Sequence, residues 1–491
     1  MLIKELLRNE TACRGEIMLK DVTHITSDFR AANKSSLLFL LPGVNFDTYE
    51  LIPSFIKSSP MAIVTEDASR FPKTSVPLIE VRSSRRAYAY AHARINKIDF
   101  ACMKFIGVTG TNGKTSTATL INRVLQHSGL KTGFIGTGKI MSVDTVLSNE
   151  CYSMTCPDPD VLYPAIAKMQ CDGCSAVVME VSSHALELSK TDPIPFSIGI
   201  FTGLSHDHLE FHGSMENYFN SKEKLISAAK EAIINFDDPW GKKLYEKYRE
   251  KSTGIGVVWR SDRTATEVES FGLSGIGYVF KSANFLTRIN LPLPGFYNVY
   301  NSMLAFEAAY KMNIAPRIIK EALISADCIE GRFERINGDI TVIIDYAHTP
   351  LALESLLKTT CHAKEKKQKI WLVFGCGGNR DKTKRPIMAE IAEKYADRII
   401  VTNDNPRNEA EEYIISDIVS GFKNANYGVI YDRELAIRTA IKKSDDKDIV
   451  IIAGKGHERY IIDAEGYHPF DERSIVASAL NDRSEARKNE V

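Results

Sequence analysis

The chain has 491 residues, too many for one hydrophobic core, so two to four domains are expected. Apolar residues make up 44% and charged residues 25%, the proportions of a globular protein. Lys+Arg and Asp+Glu both number 62, so no global basic field points to nucleic acid. No uninterrupted apolar run is long enough to span a bilayer, and Met1-Leu2-Ile3-Lys4-Glu5 is charged too early for a secretory signal. The expectation is a cytoplasmic protein with no membrane partner. Nine scattered cysteines suit free thiols in a reducing compartment. Cys171-Asp172-Gly173-Cys174 has C-x-x-C spacing, but no second pair or His cluster follows at zinc-finger distance, so it reads as two incidental thiols.

Residues 1–102 read as a small α/β domain, with short buried strands at 37–41 and 61–65 and a helix over 84–96. Next comes Gly107-Val108-Thr109-Gly110-Thr111-Asn112-Gly113-Lys114-Thr115-Ser116-Thr117, between the end of a buried strand and a helix expected over 116–128. Such a turn cradles phosphates. Its glycines let backbone N–H groups approach, the helix N-terminus adds partial positive charge, and Lys114 supplies a full one. Thr115 places a hydroxyl where Mg²⁺ would sit. The spacing departs from the ordinary Walker A pattern, which needs Gly where Val108 stands. The residues alone predict binding of a nucleoside triphosphate through Gly110, Thr111, Asn112, Gly113, Lys114, Thr115 and Ser116.

Phe134 to Gly138 read as a second strand and turn. The apolar strand 176–179 delivers Glu180 at its C-terminal end, where open α/β sheets bind ligands and a carboxylate suits Mg²⁺. Short alternating segments over 252–293 predict an antiparallel excursion, and Pro294 to Asn301 start a helix on which Asn298 and Asn301 share a face. After 334, strands at 341–344, 370–374, 398–402 and 448–453 each run into a polar or glycine-rich loop. That pattern predicts a doubly wound Rossmann-like sheet with the loops along one edge.

The variant cradle resembles that of the Mur ligase and folylpolyglutamate synthase superfamily, and further strings resemble the Mur ligases across nearly the whole chain. They include Glu180-Val181-Ser182-Ser183-His184, Met215 to Lys222, Gly331-Arg332-Phe333-Glu334, Asp345-Tyr346-Ala347-His348-Thr349-Pro350 and Asp404-Asn405-Pro406-Arg407. The resemblance implies three domains: a UDP-substrate-binding domain at 1–102, a central P-loop ATPase domain at 103–333 and an amino-acid-binding ligase domain at 334–491. It implies ATP and Mg²⁺ as cofactors. Thr115, Glu180, His208 and a carbamylated Lys222 would hold metal, and Lys114, Lys222, His208 and Glu180 would be catalytic. Asn298, Asn301, Arg332, Asp345 and His348 would contact the nucleotide.

For the third-residue-adding type, the resemblance implies a UDP-N-acetylmuramoyl dipeptide and a diamino acid as small-molecule substrates, a monomer, and a place in cell-wall precursor synthesis. Asp28, Arg30, Thr155, Cys156, Ser182 and Lys190 match the acceptor side. Arg380, Asp404, Asn405, Arg407, Gly454 and Glu458 match the amino-acid side. The Asp-Asn-Pro-Arg string resembles the form that selects meso-diaminopimelate, whose distal carboxylate an Arg can grip with two hydrogen bonds. Phe29, Cys156, Leu188, Lys190, Gly203 and His206 depart from the family strings. All but His206 fall on the proposed acceptor side. Such a cluster also fits a paralogue with another acceptor. Lysine or ornithine as the added residue is a smaller variant of the same reading. A silent ATP-binding homologue is a different class, and the presence together of Lys114, Thr115, Glu180, His208 and Lys222 counts against it.

Overall fold

The computed structural model describes residues 1–43, 46–148, 155–424 and 426–488. They fall into two compact units, one of residues 1–107, 130–197 and 227–230, the other of 108–129, 198–226 and 231 onward.

In the first unit a four-stranded parallel sheet follows chain order through His24–Thr26, Ser36–Phe39, Ala62–Thr65 and Leu78–Glu80. The second and third strands are those expected at 37–41 and 61–65. Alternation sorts their side chains: Leu37 and Phe39 pack with Ile3, Leu6, Ala87 and Ala91 on one face, Leu38 and Leu40 with Ile52 and Phe55 on the other. Helix Ser84–Ile95 begins where the Ser83 hydroxyl accepts from Arg86 N. Further on, Thr132–Gly136 pairs in parallel with Ala176–Glu180. Lys139–Ser142 and Thr145–Ser148 continue from it as an antiparallel meander.

In the second unit the helix after the cradle runs Lys114–His127, two residues earlier than expected, because Gly113 at φ +85° is its N-cap and needs no side chain. It packs against helix Tyr297–Lys311. The region 252–293 corrects the expectation in part. Ser252–Gly256 is parallel to Glu231–Asn235, and the antiparallel excursion starts only at Arg263–Ser270, continuing through Ile276–Lys281 and Leu286–Leu291.

The later part of this unit is doubly wound. Its sheet runs Glu334–Asn337, Thr341–Asp345, Ile449–Ala453, Ile370–Phe374, Arg398–Val401, Tyr427–Val429, parallel except at the first pair. Continuous apolar strands are buried on both faces. Ile343, Ile451 and Leu372 meet helices Pro350–Ala363, Lys384–Tyr395 and Glu411–Val419, while Val342, Val450 and Val373 meet Arg433–Lys443 and Glu472–Lys488. The four expected loops follow the C-terminal ends of four adjacent parallel strands. Among the described residues no helix is long and apolar enough to cross a membrane.

Candidate active site

The phosphate cradle is shaped by two glycines that admit no side chain. At Gly110, φ +147°, a Cβ would lie 1.9 Å from Thr202 Oγ1, and at Gly113 it would lie 2.6 Å from Asn301 Oδ1. Thr111 N donates to Gly203 O at 2.9 Å, Thr111 Oγ1 meets Tyr218 Oη at 3.2 Å, and Thr202 Oγ1 donates to Asn112 O at 2.6 Å. Asn112 Nδ2 reaches Ser205 Oγ at 3.4 Å. Ser116 is buried in the first helical turn.

Two lysines converge on one carbonyl. Lys114 Nζ donates to Gly110 O at 3.0 Å and Thr111 O at 2.7 Å. Lys222 Nζ, on helix Met215–Ala228, donates to Gly110 O at 2.7 Å and sits 4.5 Å from the centre of the Tyr218 ring. Lys222 is buried. Burial, then the neighbouring Lys114 charge, push its amine well below the usual lysine range.

Arg332 reaches the cradle from the far side. Its Nη2 donates to Thr115 Oγ1 at 3.0 Å, its guanidinium lies 4.4 Å from the Tyr346 ring centre, and its buried Nε has no hydrogen-bond partner among the described residues. Asp345 accepts from Phe333 N at 2.6 Å and Ala347 N at 2.7 Å, so it fixes the backbone beside Arg332. Asn298 and Asn301 do come to the cradle, but largely as its wall. Asn301 Nδ2 donates to Asn298 Oδ1 at 2.9 Å, Thr117 Oγ1 to Asn301 Oδ1 at 3.3 Å, and Asn298 Nδ2 to Pro294 O at 2.7 Å.

His208 has a left-handed backbone, φ +54°, and caps the short helix Leu209–His212. Its Nε2 lies 3.4 Å from Asp207 Oδ2, with His348 Nε2 at 4.0 Å from the same oxygen. Burial alone would raise Asp207, but His208, His348, Lys384 and Lys114 outweigh it and hold the carboxyl below its usual range. Burial, then Lys384, lower His348 to about 4, and its Nδ1 is 2.9 Å from Tyr346 O. His206 Nδ1 is 3.2 Å from Asp381 Oδ2, and Arg380 Nη1 is 3.9 Å from Glu210 Oε1.

Along the edge of the C-terminal sheet, Asp404, Asn405, Arg407, Gly454 and Glu458 come together. Asn405 donates through Nδ2 to Glu458 Oε2 at 2.8 Å and accepts through Oδ1 from Lys455 Nζ at 2.8 Å. Lys455 also lies 3.2 Å from Glu458 and 3.8 Å from Asp404. A Cβ at Gly454 would fall 2.5 Å from Asp404 Oδ2. Arg407, φ +54°, donates through Nη1 to Gly378 O at 2.9 Å and Asn405 O at 3.3 Å. Burial, then repulsion from Arg380, lower its pKa, so an anionic ligand there would meet two guanidinium groups. Burial raises Glu458 against the pull of Lys455. Sequence reasoning missed Lys455, Asp207 and Tyr218. Each has a partner far away in sequence: Asn405 for Lys455, His348 for Asp207 and Thr111 for Tyr218.

The remaining predicted residues lie in the first unit. Glu180 accepts from Thr137 N at 2.9 Å and Thr137 Oγ1 at 3.2 Å, and Thr137 Oγ1 reaches Thr155 Oγ1 at 3.3 Å. Ser182 caps helix Ser183–Glu187, and Cys156 is buried. Met154, next to Thr155, is outside the described residues. Lys190 pairs with Asp158 at 2.7 Å. Both line a cavity of about 450 Å³ with Arg85, Tyr88, Asp160 and Leu188. Asp28 and Arg30 form a two-point ion pair on a second cavity of about 270 Å³ that Phe29 and Phe55 also line. Phe29 packs on Phe55 with ring centres 5.5 Å apart, a packing reason for the departure at that position.

Residues 108–309 match the Mur ligase middle domain and residues 331–456 the Mur ligase, glutamate ligase domain. A UDP-N-acetylmuramoyl-L-alanyl-D-glutamate–2,6-diaminopimelate ligase of Clostridioides difficile is 38% identical over 477 residues, 95% of this chain and 96% of the relative. The chain belongs to the Mur ligase family. A solved ligase of the same description superposes with a TM-score of 0.68 at 26% identity over 99% of both chains. The MurF ligase from Thermotoga maritima in complex with ADP shares the fold, with a TM-score of 0.63 at 15% identity over 95% of this chain and 100% of that one. This Mur ligase is therefore an α/β, ATP-dependent ligase. Among the described residues no three His, Cys, Asp or Glu side chains form a ready metal cage. Mg²⁺ does not need one, since it keeps several waters and binds through one or two carboxylates and the substrate's phosphates.

Proposed function

We propose that this protein joins meso-diaminopimelate to the D-glutamate γ-carboxylate of UDP-N-acetylmuramoyl-L-alanyl-D-glutamate, consuming ATP, in the cytoplasm and as a monomer. The observation that carries the reading is the convergence of Arg407, Arg380, Asn405 and Glu458 on one edge of the C-terminal sheet. Cations for a distal carboxylate and an acid for an amine stand within one loop cluster. The names of the relatives support the same reading. Domains at 1–102, 103–333 and 334–491 belong to it.

In this reading ATP phosphorylates the γ-carboxylate, the amine of diaminopimelate attacks the acyl phosphate, and phosphate leaves. Lys114 and the N–H groups of Gly110 to Ser116, other than that of Thr111, hold the phosphates, and Arg332, whose Nε has no partner among the described residues, reaches them from the C-terminal side. Thr115, His208 and Lys222 as its carbamate, together with Glu180, are the residues that would hold Mg²⁺, which would supply charge neutralisation to the phosphoryl group. A carbamate forms when an unprotonated amine attacks CO₂ and releases a proton, and the buried, lowered amine of Lys222 fits that requirement. Asp28, Arg30, Thr155, Cys156, Ser182 and Lys190 serve the acceptor.

The test is phosphate release by the purified protein with ATP, Mg²⁺ and this acceptor, with diaminopimelate, lysine and ornithine supplied separately and product mass checked. Turnover needing both acceptor and diaminopimelate is expected. A second reading, a ligase for another acceptor, is favoured by Leu188 and Lys190 lining the larger cavity. Absence of turnover from protein that still binds ATP would select it.

A further inference from the structure

A buried ion pair lies beneath the loops that carry Arg380 and Arg407. Arg385, in the first turn of helix Lys384–Tyr395, has a side chain 0% exposed. Its Nη1 donates to Glu409 Oε1 at 2.8 Å, and its Nη2 donates to Glu409 Oε2 at 2.9 Å and to Gly377 O at 3.2 Å. Glu409 also accepts from Asn379 N at 2.9 Å and pairs with Lys382 at 3.0 Å. These contacts, Arg385 foremost, hold its carboxyl down to about 2. One carboxylate thus ties the loop after Ile370–Phe374 to the loop after Arg398–Val401.

The same two loops touch again beside Arg407. Gly378 N donates to Asn405 O at 2.9 Å, Asn408 N to Asn379 Oδ1 at 3.1 Å, and Arg407 Nη1 to Gly378 O at 2.9 Å. Asn379 and Arg407 both hold left-handed backbones, φ +51° and +54°. Such conformations persist in non-glycine residues only where the surroundings fix them. Glu409 is two residues from Arg407, and Asn379 is next to Gly378. The ion pair therefore fixes both ends of the Arg407–Gly378 link.

We infer that Arg385 and Glu409 are a positioning pair that sets the Arg407 guanidinium, and with it the grip on the distal carboxylate of the incoming amino acid. The inference rests on the reading of Arg407 as the carboxylate-binding group. Neither residue of the pair touches substrate; both act through loop geometry. Asp417, on helix Glu411–Val419, gives the contrast. It pairs with the same guanidinium at 2.8 Å, so its removal loosens Arg385 while the Arg385–Glu409–Asn379 tie between the loops stays.

The experiment compares the full-length wild type with Glu409→Gln, Arg385→Lys and Asp417→Asn. It measures KM for diaminopimelate and for ATP, kcat, the rate with lysine, and Tm. Glu409→Gln is expected to raise KM for diaminopimelate about tenfold, the loss of a charge-assisted contact, while kcat and KM for ATP stay within about twofold. Preference for diaminopimelate over lysine should narrow. Arg385→Lys should move the same quantities the same way, and Asp417→Asn should leave KM for diaminopimelate unchanged. An unchanged KM in Glu409→Gln, or equal falls in Tm for Glu409→Gln and Asp417→Asn without a selective KM shift, would overturn the inference and leave a merely stabilising pair. A wild type that turns over lysine but not diaminopimelate would overturn the Arg407 reading itself, and the pair's role with it.

Discussion

The proposed phosphate cradle and the proposed amino-acid pocket would both hold charge on a small ligand, and they are built in opposite ways. The cradle is one short stretch, Gly110 to Ser116, whose own backbone and Lys114 form most of the site. The pocket is gathered from loops after separate strands, and its polar side chains lean on other loops: Asn405 on Glu458, Lys455 on Asn405, Arg407 on Gly378. The cradle is local and rigid by chain geometry. The pocket is rigid only through a network, so it should fail by loss of selectivity before it fails by loss of rate.

The largest expected effect is beside the cradle, at Lys222. Lys222→Ala should lower kcat by about 10²–10³-fold, the scale of losing one preorganised charged group at a phosphoryl site. Added acetate or formate should restore part of the rate by supplying the missing carboxylate. Full activity without them would remove Lys222 from the chemistry. Arg407→Met should come next. KM for diaminopimelate should rise about 10–100-fold, the worth of a two-point charged contact, with discrimination against lysine relieved and KM for ATP unmoved. If KM for ATP moved equally, the contrast between a local and a networked site would collapse.

Gly378→Ala tests how tightly the network is packed. A Cβ there would lie 1.9 Å from Pro406 O, so the loops must separate. Thermal denaturation should show a loss of about 1–3 kcal/mol, typical of overpacking, accompanied by weaker amino-acid binding and normal ATP binding. The smallest effect is a pH control outside both sites. His92 is lowered to about 4, by burial first and then by His24, whereas an unfolded His titrates near about 6.5. The unfolded chain therefore binds more protons between those values. Stability is full above pH about 6.5 and declines as pH falls toward about 4. Urea midpoints at pH 7 and 5 should differ less in His92→Gln than in the wild type.

The same contrast explains what could be read in the sequence. The cradle was legible because its glycines, lysine and hydroxyl are contiguous and each is forced by the turn. The C-terminal sheet was legible because its strands are apolar runs ending in polar loops. Ser252–Gly256 was misjudged because a short strand does not reveal whether its neighbour runs parallel. The bond from Lys455 to Asn405 gave no signal because the two lie 50 residues apart. Lys222 was marked by family resemblance, but its convergence with Lys114 on Gly110 O depends on a contact 112 residues long. Arg385 and Glu409 escaped notice because a buried ion pair has no spacing rule.

Arg332 is not free to move by itself. Asp345 pins Phe333 N, and Tyr346 N donates to Gly331 O at 3.0 Å, so the arginine is clamped on both sides to the end of strand Thr341–Asp345. It is the tip of a lever whose arm is the whole C-terminal sheet. A tilt of that sheet would carry the guanidinium away from Thr115 Oγ1, which it meets at 3.0 Å.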